Sequence, residues 1–177
     1  ALYLHVPMWF TMIFLLLLSS YHSYMFVSKG GELHDSKSYN YAHVGVYFGI
    51  LGLLTGMFWA KYTWGTYWTN DPKLNGSAIG LLIYFGYFIL RSSIEDESKK
   101  GKISSVYNVF AFSMLIPLIF ILPRLTDSLH PGNGGNPGFN VYDMNSQLRL
   151  VFYPAVTGFI FLGLWISDLR LKMLKLK

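Results

Sequence analysis

Residues 1–28 read ALYLHVPMWFTMIFLLLLSSYHSYMFVS and contain no Asp, Glu, Lys or Arg. Four later stretches also lack these residues: 38–60, 74–90, 103–123 and 150–167. An α-helix needs about 20 residues to cross a bilayer, with a range of roughly 17–25. We therefore predict an all-α, polytopic bundle of five transmembrane helices, in which residues 1–177 form a single integral membrane domain.

The composition of the chain agrees with a membrane protein. Only 13% of the 177 residues are charged, whereas soluble domains contain about 25%. This composition excludes a water-soluble globular domain and a disordered chain. The net charge of +5 comes from basic residues beside the hydrophobic stretches. That pattern is typical of membrane topology, and we expect no nucleic-acid partner.

Polar segments separate the five predicted helices. We place the helices at 5–27, 39–60, 77–90, 103–123 and 148–167. Pro117 is expected to bend the fourth helix. In the second helix, the pairs Gly45 and Gly49, and Gly52 and Gly56, have the spacing that lets two helices approach closely.

The basic residues predict the orientation of the bundle. Ten of the 14 Lys and Arg residues fall on one side, in segments 28–37, 91–102 and 168–177. Short loops that are rich in Lys and Arg stay in the cytoplasm. The other side, with His5 and the loops 58–76 and 124–147, is therefore predicted to face outward.

Tryptophan is concentrated in the first of these outward loops. Trp59, Trp64 and Trp68 lie within ten residues, with Tyr62 and Tyr67 among them. One interpretation is an interfacial belt that anchors helix ends. The other is a platform for a large, flat, apolar ligand, which would gain both buried area and contacts between aromatic rings. Composition alone does not separate the two.

Residues 64–74, WGTYWTNDPKL, resemble the tryptophan-rich WWD signature of the haem-handling cytochrome c assembly family. Residues 4–7 (LHVP) and 54–59 (LTGMFW) resemble the short haem-delivery branch of that family. The sequence departs from the signature at Tyr67 and Asn70, where the family usually has tryptophan. Family members of this type usually have six spans, so we expect the first span to be absent from this chain.

The resemblance implies haem b, bound at the outer face without a covalent bond. It implies that His5 and His130 are the axial ligands of the iron, and the predicted topology places both of them outside. It also implies a cradle that consists of Trp59, Trp64, Tyr67 and Trp68. The chain has no cysteine, which excludes covalent attachment of haem through a thioether.

Charged residues near this cradle have two interpretations. The outward cations are candidate partners for the haem propionates, or they mark helix ends at the lipid headgroups; they are Lys61, Lys73, Arg124 and Arg149. Asp71 occupies the acidic position of the signature. Because it precedes Pro72, we predict that it caps the next helix.

The remaining histidines are less informative. We expect His34 to be solvated in a charged loop. His22 and His43 could share a depth in the bundle and form a second haem site, but buried histidines more often make hydrogen bonds between helices. The run 131–138, almost all Gly, Asn and Pro, is expected to let His130 move on and off the iron.

We interpret the chain as a factor that binds haem at the periplasmic face for c-type cytochrome biogenesis. The resemblance implies delivery to the haem chaperone CcmE, with the ABC transporter subunits CcmA and CcmB and the small protein CcmD as partners, among the lipids of the bacterial cytoplasmic membrane. No hydrolytic or redox-enzyme constellation appears, so we do not expect a metabolic enzyme. The alternatives are a haem-containing electron-transfer subunit and a permease subunit that binds no haem.

Overall fold

The computed structural model of the chain describes residues 2–130 and 144–175. These residues form helices and short connections, without a strand. The elements are α1 (Leu2–Lys29), α2 (Glu32–Trp64), α3 (Pro72–Ser93), α4 (Glu97–Ile116), a π-helical turn (Pro117–Ile121), α5 (Leu122–Leu125) and α6 (Ser146–Lys175). The predicted all-α fold is confirmed.

Among the described residues, five helical stretches are long and apolar enough to cross a membrane. They are α1, α2, α3, the continuous stretch Glu97–Leu125, and Ser146–Leu174 of α6. Their number confirms the prediction from the uncharged segments. The chain is therefore a multi-pass membrane protein.

The helices are longer than the uncharged segments. The predicted loop 28–37 is reduced to Gly30 and Gly31, whose φ angles are +74° and +96°. Residues 94–96 replace the predicted loop 91–102, and Asp96 caps α4 by accepting a hydrogen bond from Ser98 N–H at 3.0 Å. Charge-free stretches mark the part of a helix that lipid covers, and the helix continues beyond it with polar residues.

The tryptophan-rich segment is likewise mostly helical. α2 continues to Trp64 and α3 begins at Pro72, so the connection is 65–71 and not the predicted 58–76. Gly65 ends α2 with φ +81°, and its N–H donates to Lys61 O at 3.1 Å. Glycine tolerates this left-handed conformation at the end of a helix. The second predicted loop is also shorter, because α6 begins at Ser146.

Glycines of α2 set its approach to α1, as predicted. The α1 side chain nearest to an added Cβ would lie 2.9 Å away at Gly45 (Leu16), 2.6 Å at Gly49 (Met12), 3.1 Å at Gly52 (Trp9) and 2.7 Å at Gly56 (His5), and at Gly49 Leu81 of α3 would be almost as close, at 2.7 Å. Four α1 side chains thus fill four notches along α2. Small residues permit this contact between helices in a membrane.

Pro117 does not end its helix. The backbone passes into the π-helical turn there and returns to α-helix at Leu122. A Cβ added at Gly76 of α3 would lie 2.3 Å from the carbonyl oxygen of Leu118. α3 therefore packs directly against the backbone of the π-helical turn.

A buried polar cluster joins α1, α2 and α4. Asn108 Nδ2 lies 2.7 Å from Ser19 Oγ, 2.8 Å from Ser23 Oγ and 3.1 Å from Ser38 Oγ. All four residues are almost fully buried. Hydrogen bonds of this kind stabilise helix packing where no water is present.

An ion pair joins α2 and α3 at the end of the bundle away from Trp64. Arg91 donates to both carboxylate oxygens of Asp35, at 2.8 and 2.5 Å, and the two side chains are 13% and 20% exposed. The Arg91 guanidinium also lies 4.7 Å from the centre of the Tyr39 ring. Two parallel hydrogen bonds make this a strong pair.

We expect Arg91→Ala to destabilise the protein by about 1.5–3 kcal/mol, because Asp35 would keep a mostly buried charge without its partner. The measurement is thermal unfolding in detergent. Lys99→Ala is the matched control, since it breaks the exposed pair with Asp96, and exposed pairs contribute little. Equal losses of thermal stability in the two variants would contradict this prediction.

Candidate functional site

The aromatic residues at the end of α2 form a compact cluster around His130. The rings of Trp59 and Trp64 lie 4.8 Å apart at 74°. The His130 ring is 4.9 Å from Trp64 and 5.8 Å from Trp59, measured between ring centres. We call Trp59, Trp64 and His130 the indole cluster. The structure thus brings His130 together with two of the tryptophans that are clustered in the sequence.

Asp71 fixes His130 in this cluster. Its Oδ1 accepts hydrogen bonds from the backbone N–H groups of Lys73 and Leu74, at 2.9 and 3.2 Å, which caps α3 as predicted. The same oxygen lies 2.9 Å from His130 Nδ1. Oδ2 accepts from Leu129 N–H at 2.7 Å and from Ser128 Oγ at 2.9 Å.

The sequence predicts the cap but not the contact with His130. The two residues are 59 positions apart. A local sequence pattern predicts that an aspartate caps the following helix, but it does not predict which distant side chain the same carboxylate contacts. Asp71 is only 2% exposed. A buried carboxylate with these partners is a fixed part of the site.

The charges of this pair follow from its surroundings. Burial opposes the charge of Asp71, but hydrogen bonds from Leu129 and Ser128, together with His130, hold the pKa of its carboxyl below its usual value. Burial lowers the pKa of His130, although the Asp71 carboxylate opposes this change. At neutral pH the site therefore contains a carboxylate and a neutral imidazole, and a neutral imidazole is the form that binds a metal.

His5 lies at the same end of the bundle. Its Nδ1 is 2.9 Å from Gly52 O and 3.2 Å from Thr55 Oγ1, and its ring packs against Gly56, one turn before Trp59. Trp59 in turn lies 5.8 Å from His130, measured between ring centres. The predicted convergence of these two histidines at one end is found in the structure.

The two imidazoles share one hydrogen-bonding pattern. Gly52 O and the Asp71 carboxylate can only accept hydrogen bonds, so Nδ1 of each ring must carry the proton. This tautomer leaves the lone pair of each ring on Nε2. An imidazole whose Nδ1 donates to a carbonyl or a carboxylate is the usual ligand of a protein-bound metal. The donor set therefore fits the iron of a haem with two axial histidines.

The other predicted cradle residues lie outside the indole cluster. Tyr67 packs edge-on against Phe58, with 6.0 Å between ring centres. Lys61 donates to Gly65 O at 2.9 Å, and its Nζ lies 5.6 Å from the centre of the Tyr67 ring. Tyr67 and Trp68 are 50% and 40% exposed. These residues extend an open aromatic surface beside the cluster.

The predicted cations occupy different positions at this end. Arg124 lies in the short α5 and is exposed, whereas Lys73 lies in the first turn of α3 and its backbone N–H binds Asp71. Arg149 Nε donates to Met144 O at 3.1 Å, near the start of α6. The run 131–138, which was predicted to let His130 move, lies outside the described residues.

The remaining histidines make contacts with other residues. His22 Nδ1 lies 2.9 Å from His34 Nδ1, which confirms an interhelical hydrogen bond for His22. The prediction that His34 is solvated is wrong, because this contact half-buries it. His43 Nδ1 lies 3.3 Å from Tyr39 O of its own helix. Among the described residues, no three His, Cys, Asp or Glu side chains are grouped for a metal ion.

The fold and the site define a class of protein: a multi-pass helical membrane protein with two oriented imidazoles beside clustered indoles. The model of the family CcmC, described as Heme exporter protein C, matches residues 1–176. The chain belongs to this family.

Relatives in several bacteria have the name Heme exporter protein C. The protein of Haemophilus influenzae is 26% identical over 140 residues, which cover 77% of this chain and 54% of the relative. That of Bradyrhizobium diazoefficiens is 27% identical over 135 residues, 76% of this chain and 51% of the relative. That of Paracoccus denitrificans is 25% identical over 171 residues, 96% of this chain and 70% of the relative. The chain spans about half the length of the first two relatives.

Proposed function

We propose that this chain binds haem b at the indole cluster and passes it on for the biogenesis of c-type cytochromes. The single observation that carries the proposal is that, at one end of the bundle, Nδ1 of His5 and Nδ1 of His130 each lie 2.9 Å from an oxygen that accepts hydrogen bonds, Gly52 O and Asp71 Oδ1. Membership of a family that is described as a haem exporter supports the same cargo. Haem is here a substrate that the protein takes up and releases.

In this proposal Nε2 of His5 and Nε2 of His130 ligate the iron without a covalent bond to the porphyrin. Trp59 and Trp64 hold His130 by ring contacts and give the porphyrin an apolar surface. Tyr67 and Trp68 extend that surface. Lys61, Lys73 and Arg124 are the proposed partners of the haem propionates.

We further propose that the indole cluster faces the periplasm, in the cytoplasmic membrane of a bacterium. The distribution of basic residues supports this orientation, since ten of the 14 lie toward the other end. The proposed acceptor of haem is the chaperone CcmE. CcmA, CcmB and CcmD are the proposed partners within the membrane.

The test is to purify the chain in detergent, add haem and record the visible spectrum. We expect a Soret band, the low-spin pattern of two imidazole ligands, and transfer of the haem to the haem-free soluble domain of CcmE after mixing. Absence of a Soret band with excess haem would overturn the proposal and favour a permease subunit. Bound haem that a quinol reduces, but that CcmE does not take up, would favour an electron-transfer subunit.

Trp64→Leu is expected to weaken haem binding about 2–13-fold, because a contact between aromatic rings contributes about 0.5–1.5 kcal/mol beyond burial. Haem titration followed by absorbance measures the change. Trp165→Leu is the matched control, since Trp165 lies on α6 and is 62% exposed. If both variants weaken binding equally, the tryptophans serve as a membrane belt and not as a platform.

A further inference from the structure

The role of Asp71 goes beyond capping a helix. Capping of α3 uses only Oδ1, through the N–H groups of Lys73 and Leu74. The carboxylate also binds His130, Ser128 and Leu129 across 57 to 59 residues of sequence. Its side chain is 0% exposed. Burial of a charge is costly unless several hydrogen bonds satisfy it. The contacts with His130, Ser128 and Leu129 therefore stabilise the buried carboxylate.

A second capping aspartate in the same chain gives a direct comparison. Asp96 caps α4 through Ser98 N–H at 3.0 Å. Its side chain is 45% exposed, and its ion pair is with Lys99 of the same helix. Capping in this protein therefore needs neither burial nor a contact with a distant imidazole.

The partners of Asp71 determine the state of His130. An ionised carboxylate only accepts hydrogen bonds, so His130 Nδ1 must donate and Nε2 must carry the lone pair. The bonds to Leu129 and Ser128 hold the backbone that precedes the ring. The first turn of α3 and the orientation of His130 thus depend on one side chain.

We propose that Asp71 is the positioning residue for His130. It fixes the Nδ1–H tautomer of the ring and aims Nε2 at the iron, and it links the connection after Trp64 to the segment that carries His130. This inference rests on the proposed function for the identity of the metal. The tautomer and the orientation of His130 belong to the protein without haem.

Asp71→Ser separates positioning from capping. Serine caps helices as well as aspartate, but its hydroxyl is uncharged and lies one atom closer to the backbone than a carboxylate oxygen. Asparagine would not separate the two roles, because Oδ1 of Asp71 both caps α3 and contacts His130. Asp96→Ser makes the same change at a cap that contacts no imidazole. We expect both variants to fold, with the larger loss of thermal stability in Asp71→Ser, because Leu129 N–H and Ser128 lose their acceptor.

Two measurements then test the role of Asp71. In the haem-free protein, ¹⁵N shifts of the His130 ring should show Nδ1–H in the wild type and in Asp96→Ser, and a mixture of the two tautomers in Asp71→Ser. The signal is assigned by its loss in His130→Ala. With haem, Asp71→Ser should bind about 10–100-fold more weakly, lose the low-spin spectrum, and regain it when free imidazole is added.

Several outcomes would overturn the inference. One is a wild-type tautomer together with a wild-type haem spectrum in Asp71→Ser. Another is an Nε2–H tautomer of His130 in the wild-type protein, which overturns the inference even if Asp71→Ser does not fold. If the wild type shows Nδ1–H and the tautomer changes in Asp71→Ser but no variant binds haem, the proposed function fails while the positioning role stands.

Discussion

Replacement of both His5 and His130 by alanine is expected to abolish the low-spin haem spectrum of the purified chain. Each ring presents one Nε2 lone pair, because Nδ1 is bound to Gly52 O in one case and to Asp71 in the other. Without either imidazole, the iron would have no axial ligand from this site. The indoles would then hold the porphyrin only by apolar contact.

The single variants separate the two ligands. His5→Ala and His130→Ala should each leave one imidazole and convert the haem to a high-spin, five-coordinate form, which absorbance and electron paramagnetic resonance distinguish. Free imidazole should restore the low-spin spectrum in both. His43→Ala is the control, since His43 contacts Tyr39 and Phe88. A low-spin spectrum that survives in the double variant would exclude these two histidines as the ligands.

Gly76→Ala is expected to destabilise the bundle strongly. The added Cβ would lie 2.3 Å from the carbonyl oxygen of Leu118. That oxygen belongs to the backbone of the π-helical turn and cannot move aside as a flexible side chain would. Overpacking of this kind costs about 1–3 kcal/mol, and occasionally more.

Gly158→Ala is the matched control for this substitution. Gly158 also lies within a helix, but an added Cβ would meet nothing within 4 Å among the described residues. Thermal unfolding in detergent should show a large loss for Gly76→Ala and little change for Gly158→Ala. Equal midpoints in the two variants would show that α3 is free to move away from the π-helical turn.

The number of helices is predictable from this sequence because charge is excluded from the part of a helix that lipid covers. The same criterion misplaces the ends of the helices. Residues such as Lys61 and Asp35 lie inside helices that continue beyond the apolar segment. The glycine spacing in α2 correctly predicts close packing, although only the structure identifies α1 as the neighbour.

The site is predictable to a smaller extent. The alternation of spans places His5 and His130 at one end, and the motif at 64–74 indicates where the indoles lie. The hydrogen bond between Asp71 and His130 depends on the path of the segment that follows α5 and carries His130. No periodic sequence pattern predicts that path. For a related reason the sequence predicts an interhelical hydrogen bond for His22 but not His34 as its partner, because the helices continue into the segment that was predicted to be a loop.

The row of notches along α2 also determines the height of His5. Leu16, Met12, Trp9 and His5 each occupy one notch, so α1 can pair with α2 in a single register. A slip by one notch would move His5 by about 5.4 Å, the pitch of an α-helix, and would separate it from the level of Trp59. The glycines of α2 therefore set the position of His5 along the bundle axis. A change in the packing of α1 against Gly45 or Gly49 would displace His5 from Trp59 at the end of the bundle.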